Sequence, residues 1–250
     1  MIFHVAYIFI VKNVLLIDSG SGGVNVLVEC VKLVPSCNFL LLCDNVHSPY
    51  GNKSREKLIE ITKANLQMIE KFFKFEIVIF ACNTLTATVI DFFRKEYPDV
   101  VFIGTEPAIA PALREFEEKD VLVMATPTTL ASSKLISGLS RVQLCPFENL
   151  AREIDLHLDS LSPVVEAVTD KLKDFSAKAV VLGCTHYVAI AQEISKALGG
   201  AKIFSGESGV ARRLKSLVGG TETNFQVQIM TTKDDDLLAK ILSYFRGKLN

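Results

Sequence analysis

Short runs of uninterrupted apolar residues alternate with amphipathic stretches along almost the whole chain. Val14-Leu15-Leu16-Ile17, Phe39-Leu40-Leu41-Leu42, Ile77-Val78-Ile79-Phe80, Val100-Val101-Phe102-Ile103, Val121-Leu122-Val123-Met124 and Ala179-Val180-Val181-Leu182 are apolar at every position. Alternation would mark strands with one wet face; continuous apolarity marks strands covered by helices on both sides, as in parallel sheets. Between them Leu58, Ile61, Ala64, Met68 and Phe72 recur at helical spacing behind Ser54, a residue suited to an N-cap. Pro107 suits the first turn of another helix, from Ala108 to about Glu118. The repeat predicts an α/β fold with mainly parallel sheets flanked by helices.

Two of the strand ends resemble each other. Ile77-Val78-Ile79-Phe80-Ala81-Cys82-Asn83-Thr84 and Ala179-Val180-Val181-Leu182-Gly183-Cys184-Thr185-His186 each close a buried strand with a small residue, then Cys, then hydrogen-bonding side chains. Their separation is close to one lobe's length. We read this as a diverged internal duplication: two pseudo-symmetric lobes, each offering one Cys at a strand's carboxyl end, where open α/β sheets hold their ligands. The first lobe is expected over residues 14–105 and the second over 106–213. The segment 214–250, with a strand from Phe225 to Thr231 and a helix from Asp234 to Phe245, is expected to return to the first lobe.

Composition narrows the function. With 250 residues, 49% hydrophobic and 22% charged, there is material for a large core and a charged surface. The formal charge is -1 and no basic block stands out, so nucleic acid is not an expected partner. No apolar run reaches the roughly 18–20 residues of a membrane helix. Met1 to Val11 is apolar but short and lacks a small-residue cleavage site, so it does not read as a signal peptide; an extra strand or an upstream start are both open. Cys30, Cys37, Cys43, Cys82, Cys145 and Cys184 form no Cys-x-x-Cys array, the pattern of free thiols in a reducing cytosol.

Three loops at strand ends could carry chemistry. Asp18-Ser19-Gly20-Ser21-Gly22-Gly23 sets a carboxylate at a strand tip and glycines where a ligand could approach the backbone. It is no dinucleotide fingerprint, whose third glycine would fall at Asn25, and no Gly-Lys-Ser/Thr follows for a phosphate loop. Asp18 could equally cap a helix. Asp44 through Gly51 ends in Pro49-Tyr50-Gly51, by default an ordinary turn. Thr126-Pro127-Thr128-Thr129 brings hydroxyls to a helix start, able to bind an anion or merely to cap the helix.

These loops and the two Cys strand ends, including Leu182 through Tyr187, resemble in order and spacing the motifs of the glutamate racemases, within the aspartate/glutamate racemase superfamily. Gly104-Thr105-Glu106-Pro107-Ala108 and Ser205-Gly206-Glu207 with Arg212-Arg213 are similar to weaker signatures of that family. The resemblance implies glutamate buried between the lobes, with Cys82 and Cys184 as one base on each face of its α-carbon. It implies Asp18 beside Cys82 and His186 beside Cys184, each aiding proton movement at its own thiol. Ser19, Pro49, Tyr50, Gly51, Asn83, Thr84, Thr126, Thr129 and Thr185 would hold the substrate's polar groups. A glutamate is expected after Cys145-Pro146; Glu153 keeps the family register and Glu148 competes with it. The resemblance further implies no cofactor, neither pyridoxal phosphate nor metal, and a bacterial cytoplasm where D-glutamate feeds peptidoglycan. It leaves a homodimer open.

Paired thiols suit racemisation because the carbanionic transition state is nearly planar: one base removes the proton and an acid on the other face returns one. One Cys must be thiolate while the other is thiol, and the roles exchange with the enantiomer. Other readings stand beside this one. Cys82 and Cys184 could be core residues of a non-catalytic amino-acid-binding protein, or with His186 ligate a metal, although Cys-x-His is an unusual zinc spacing. A thiol redox role lacks its Cys-x-x-Cys. Aspartate is the nearest rival substrate. His4 and His157 have no motif around them.

Overall fold

The computed structural model describes residues 12–218, 226–233 and 235–249. The stretch ahead of Lys12 lies outside these residues, as do Phe225 and Asp234, the expected first residues of the tail strand and helix.

The first lobe runs β1 (Lys12–Asp18), α1 (Gly23–Leu33), β2 (Cys37–Cys43), α2 (Arg55–Glu70), β3 (Ile77–Phe80), α3 (Asn83–Glu96) and β4 (Val101–Gly104). The second runs α4 (Ile109–Leu113), β5 (Val121–Ala125), α5 (Pro127–Ser132), α6 (Lys134–Ser137), β6 (Gln143–Pro146), α7 (Leu150–Leu156), α8 (Ser162–Leu172), β7 (Ala179–Gly183), a 3-10 helix (Thr185–Ile190), α9 (Ala191–Ala197) and β8 (Lys202–Ser205). The chain then adds α10 (Glu207–Leu217), β9 (Val227–Thr231) and α11 (Asp235–Leu249). Every strand pair is parallel. The sheets are ordered β4-β3-β1-β2-β9 and β6-β5-β7-β8. In both, the lobe's first strand has its second on one side and its third and fourth on the other, so β3 and β7 are equivalent. Connections leaving the first strand and entering the third lie on opposite faces, and the crevice between those strands' carboxyl ends is the ligand position of such sheets.

Period-2 exposure explains the continuous apolar runs. Leu16, Leu41 and Ile79 face α1, α10 and α11, while Leu15, Ile17, Leu40, Leu42, Val78 and Phe80 face α2 and α3. In the second lobe Leu122, Met124, Val180 and Leu182 face α7, α8 and α9, and Val121, Val123 and Val181 face the α4 side. Neither face meets water, so neither can be polar.

The tail returns to the first lobe: β9 pairs with β2, and Ile241 and Phe245 of α11 are buried in its core. That return begins ahead of the expected residue 214, because Val210 and Ala211 of α10 already belong to the same core. The edge strands β6 and β8 escaped the sequence reading. Leu144 and Pro146 of β6 and Lys202 of β8 are exposed, and with Gln143 in one and Lys202 and Ser205 in the other neither strand shows an apolar run. The helix expected from Ala108 to Glu118 ends after Leu113, where the Glu115 and Phe116 amides turn back onto Ala112.

Ser54 caps α2 as expected, its hydroxyl accepting from the Lys57 amide at 3.2 Å. The buried face is not the expected one beyond Ile61. Ala64, Met68 and Phe72 are exposed, and Leu58, Ile61, Thr62, Asn65, Leu66 and Ile69 turn inward. The polar Asn65 points inward because its amide donates to the buried Asp44 carboxylate at 3.0 Å. A consequence is measurable by denaturant unfolding: Leu41→Ala, at a fully buried site, lowers stability by about 2–5 kcal/mol, whereas Phe72→Ala changes it by no more than about 0.5 kcal/mol.

Candidate active site

The two lobes meet at the carboxyl ends of β1, β3, β5 and β7. Cys82 follows β3 and stands at the start of α3; Cys184 follows β7 and opens the 3-10 helix. Both thiols are buried, each residue 8% exposed. Burial first, and then the Asp18 carboxylate, push the Cys82 thiol up to about 12, with a smaller contribution from Cys184.

Asp18 is fully buried at the tip of β1. It does not cap α1, whose N-cap is Gly22. Its Oδ1 accepts from the Gly20 amide at 2.9 Å and the Ser19 hydroxyl at 3.4 Å, and its Oδ2 accepts from the Thr185 hydroxyl of the other lobe at 2.9 Å. Burial still holds its carboxyl above the usual carboxylate range, against the attraction of His186 and these hydrogen bonds.

His186 is 2% exposed. Its Nδ1 lies 3.7 Å from Cys184 Sγ, and its Nε2 lies 3.4 Å from Asp155 Oδ1, within ion-pair range but not aligned as a hydrogen bond. Burial opposes the imidazolium, but Asp155 first, and then Cys184 and Asp18, outweigh it and raise His186 well above its ordinary value. Asp155 shows the converse balance. Burial disfavours its charge, and His186 with the Ser21 hydroxyl and amide lowers it below the usual range.

Asp155 is the acid that sequence reasoning missed. Glu153, expected here from its register, is exposed, with its carboxylate 4.0 Å from His157, and Glu148 is exposed as well. The reason is helical phase. In α7 the buried residues are Leu150, Ala151, Ile154 and Asp155, so Asp155 lies one turn beyond Ala151 on the inner face while Glu153 projects outward. Laying out that apolar face would have found it.

The loop after β1 must be glycine where the lobes touch. A Cβ on Gly20 would stand 2.0 Å from Asp155 Oδ2 and 2.7 Å from His186 Nε2; one on Gly22 would stand 2.5 Å from His186 Nδ1 and from the Thr185 hydroxyl. On the opposite side of the seam the Thr84, Thr126 and Thr129 hydroxyls lie within 2.9–3.1 Å of one another, at the start of α3 and of α5. Thr126 also caps α5, accepting from the Thr129 amide. Asn83 is buried and donates to the Thr105 carbonyl at 3.2 Å. Pro49-Tyr50-Gly51 is more than a turn. The buried Tyr50 hydroxyl donates to Asp44 at 2.7 Å, and the Gly51 carbonyl accepts from Thr128 of the second lobe. Asp44, holding Tyr50, His47, Asn65 and Thr232 as donors, sits below the usual carboxylate range although burial opposes its charge. Among the described residues no cluster of three or more His, Cys, Asp or Glu side chains is arranged to hold a metal ion.

The structure therefore brings together Cys82, Cys184, Asp18, His186, Thr185 and Ser19, gathers Thr84, Thr126 and Thr129 on the far side, and leaves Glu153 outside. The family described as Asp/Glu/Hydantoin racemase matches residues 27–212. The chain belongs to this family. It is accordingly an enzyme of the racemase class. Among its relatives, the glutamate racemase of Clostridium acetobutylicum is 33% identical over 241 residues, 89% of this chain and 93% of that one. The glutamate racemase of Clostridium kluyveri is 35% identical over 210 residues, 79% of this chain and 80% of that one. Of solved structures, Escherichia coli glutamate racemase, in complex with L-glutamate and the activator UDP-MurNAc-ala, superposes with a TM-score of 0.83 at 23% identity, covering 96% of each chain. The glutamate racemase of Aquifex pyrophilus does so with 0.69 at 26%, covering 95% of each. The two-sheet fold is thus the fold of these racemases.

The His186–Asp155 pair makes a pH prediction for this racemase-family site. His186, with its folded value raised, adds stability that is fully present below its unfolded value of about 6.5 and is lost as pH rises through the raised one. Asp155, with its folded value lowered, adds stability above its unfolded value of about 3.9 that is lost as pH falls through the lower one. Histidine NMR titration of Asp155→Asn is expected to show His186 titrating at lower pH than in the unmodified protein, and turnover falls well below that of Glu153→Gln. An unmoved His186 in Asp155→Asn would refute the pairing.

Proposed function

We propose that the chain interconverts L- and D-glutamate by a two-thiol, two-base reaction without a cofactor, supplying D-glutamate for peptidoglycan in a bacterial cytoplasm. The observation that carries this reading is the pair of buried thiols at equivalent strand ends of two like-ordered sheets, Cys82 under the influence of the Asp18 carboxylate and Cys184 lying 3.7 Å from His186 Nδ1, in a family whose relatives include glutamate racemases.

The geometry supports a division of labour. At one face, His186 can donate through Nδ1 to Cys184 Sγ and support the anion as that thiol gives up its proton, while Asp155 stabilises the imidazolium. At the other, the Cys82 thiol is held protonated by burial and by Asp18, ready to deliver a proton to the carbanion. When the other enantiomer is bound, Cys82 must itself become the base. Asp18, held above the usual carboxylate range, is basic enough at that position to share its proton. Thr84, Thr126 and Thr129, with the amides at the start of α3, supply donors for a carboxylate, and the resemblance assigns Asn83, Thr185, Ser19 and Pro49-Tyr50-Gly51 to the remaining polar groups of the substrate. By the family's assignment Cys184 takes the proton from L-glutamate and Cys82 takes it from D-glutamate.

Assays in deuterium oxide with glutamate and with aspartate separate the substrates. Early product is expected to carry deuterium at the α-carbon while unreacted substrate carries little, with glutamate far ahead of aspartate. Cys82→Ser and Cys184→Ser each nearly abolish racemisation, because a serine hydroxyl is too weak an acid to supply the anion. Chloride elimination from 3-chloroglutamate needs only one deprotonation, so Cys184→Ser retains it with the D-form and Cys82→Ser with the L-form. Full racemisation by either variant would end the two-thiol reading.

A further inference from the structure

Asn25 occupies the place where a dinucleotide fingerprint would need its third glycine, and nothing in the proposed reaction uses it. It is the third residue of α1 and is buried. Its Nδ2 donates across the seam to the Thr185 carbonyl at 2.9 Å and reaches the Gly22 carbonyl at 3.4 Å, and its Oδ1 accepts from the Tyr244 hydroxyl of α11 at 2.9 Å. The amide can stand only one way round. Two carbonyls require donors, so the nitrogen must face them and the oxygen is left for the phenol. Tyr244 remains a donor at neutral pH, since burial pushes its hydroxyl up to about 12.

The Thr185 carbonyl belongs to the peptide that joins Thr185 to His186, one residue beyond Cys184. Gly22, the other carbonyl partner, is the residue with no room for a Cβ against His186. Asn25 thus grips both strands of backbone that fix the imidazole and its thiol. The Cys82 side depends less on this grip: two of the three donors to Asp18, the Gly20 amide and the Ser19 hydroxyl, belong to its own loop, and only the Thr185 hydroxyl comes from the segment that Asn25 holds. We propose that Asn25 is a positioning residue chiefly for the Cys184–His186 face, and that Tyr244 of the C-terminal helix holds its carboxamide in place. The inference rests on the glutamate reading above.

Racemisation rates cannot test it. Mirror symmetry sets the equilibrium constant at unity, so any variant lowers kcat/KM equally in both directions. Chloride elimination can. A thiolate removes the Cα proton, the C–H electron pair becomes the Cα–Cβ π bond, and chloride leaves with the C–Cl pair, so a single thiol, on one face of Cα, is needed. In Asn25→Ala, chloride release from the L-form of 3-chloroglutamate is expected to fall roughly tenfold or more, since small misplacements of a reacting group cost that much. Release from the D-form changes by less than about twofold, and the racemisation loss appears mainly in kcat rather than KM. Tyr244→Phe shifts the same L-to-D ratio in the same sense by a smaller factor. Equal losses with both enantiomers, or no loss, overturn the proposal. If Asn25→Ala fails to fold by circular dichroism, the ratio in Tyr244→Phe, which lacks only a hydroxyl, decides. Unmodified protein that eliminates chloride from neither enantiomer would overturn the glutamate reading and this inference with it. Elimination from both by that protein, with an unchanged ratio in the variants, overturns the role of Asn25 alone.

Discussion

The glycine loop after β1 and His186 of the other lobe approach so closely that no side-chain carbon fits between them. This contact fixes the distance between the lobes, and the other cross-seam bonds follow from it. With Gly20 and Gly22 against the imidazole, Asp18 reaches Thr185, Ser21 reaches Asp155, and Asn25 reaches the Thr185 carbonyl. The lobes could close less tightly only by giving up several buried hydrogen bonds at once, each leaving an unsatisfied group that costs about 1–3 kcal/mol. The proposed reaction, with two bases against opposite faces of one carbon, needs that fixity.

Three buried carboxylates show how environment assigns roles to identical side chains. Asp44 has four donors, lies below the usual range, and works as a structural node joining α2, the Tyr50 turn and the segment after β9. Asp155 is lowered by the imidazolium it faces, so its charge is the fixed counter-charge of His186. Asp18 accepts three hydrogen bonds, all from neutral groups, and burial dominates. A carboxyl held above its usual range beside a thiol is suited to proton exchange, whereas the other two are suited to staying charged.

The like order of the two sheets accounts for the matching thiols, and the unlike loops at their strand ends for the unlike partners. β3 and β7 occupy equivalent positions and deliver Cys82 and Cys184 to one seam. The first strands of the lobes end differently, β1 in Asp18 and β5 in Ala125 followed by Thr126. Asn83 follows one Cys, and Thr185 with His186 follows the other. The scaffold is therefore alike where the two thiols stand and unlike around them, with acid and base groups on one side and a trio of threonine hydroxyls on the other.

Much of this was legible in the chain. Strands buried on both faces leave no polar positions, so continuous apolar runs located six of the nine strands of the described residues, and repetition of a strand end ending in Cys pointed to two lobes and one seam. Motif wording named Asp18, His186 and the threonines because those residues lie beside one another in sequence with the loops that carry them. The edge strands β6 and β8 were illegible, since their exposed faces interrupt the apolar pattern. The inward face of α2 was misjudged because a buried Asp44 makes Asn65 a core residue. The acid that faces His186 was placed two residues early, at Glu153, because register along a chain does not specify which side of a helix is buried. The bonds from Ser21 to Asp155, from Asn25 to Thr185 and from Tyr244 to Asn25 each join residues more than a hundred positions apart, and only tertiary packing, of one lobe against the other or of the C-terminal helix against the first, could decide them.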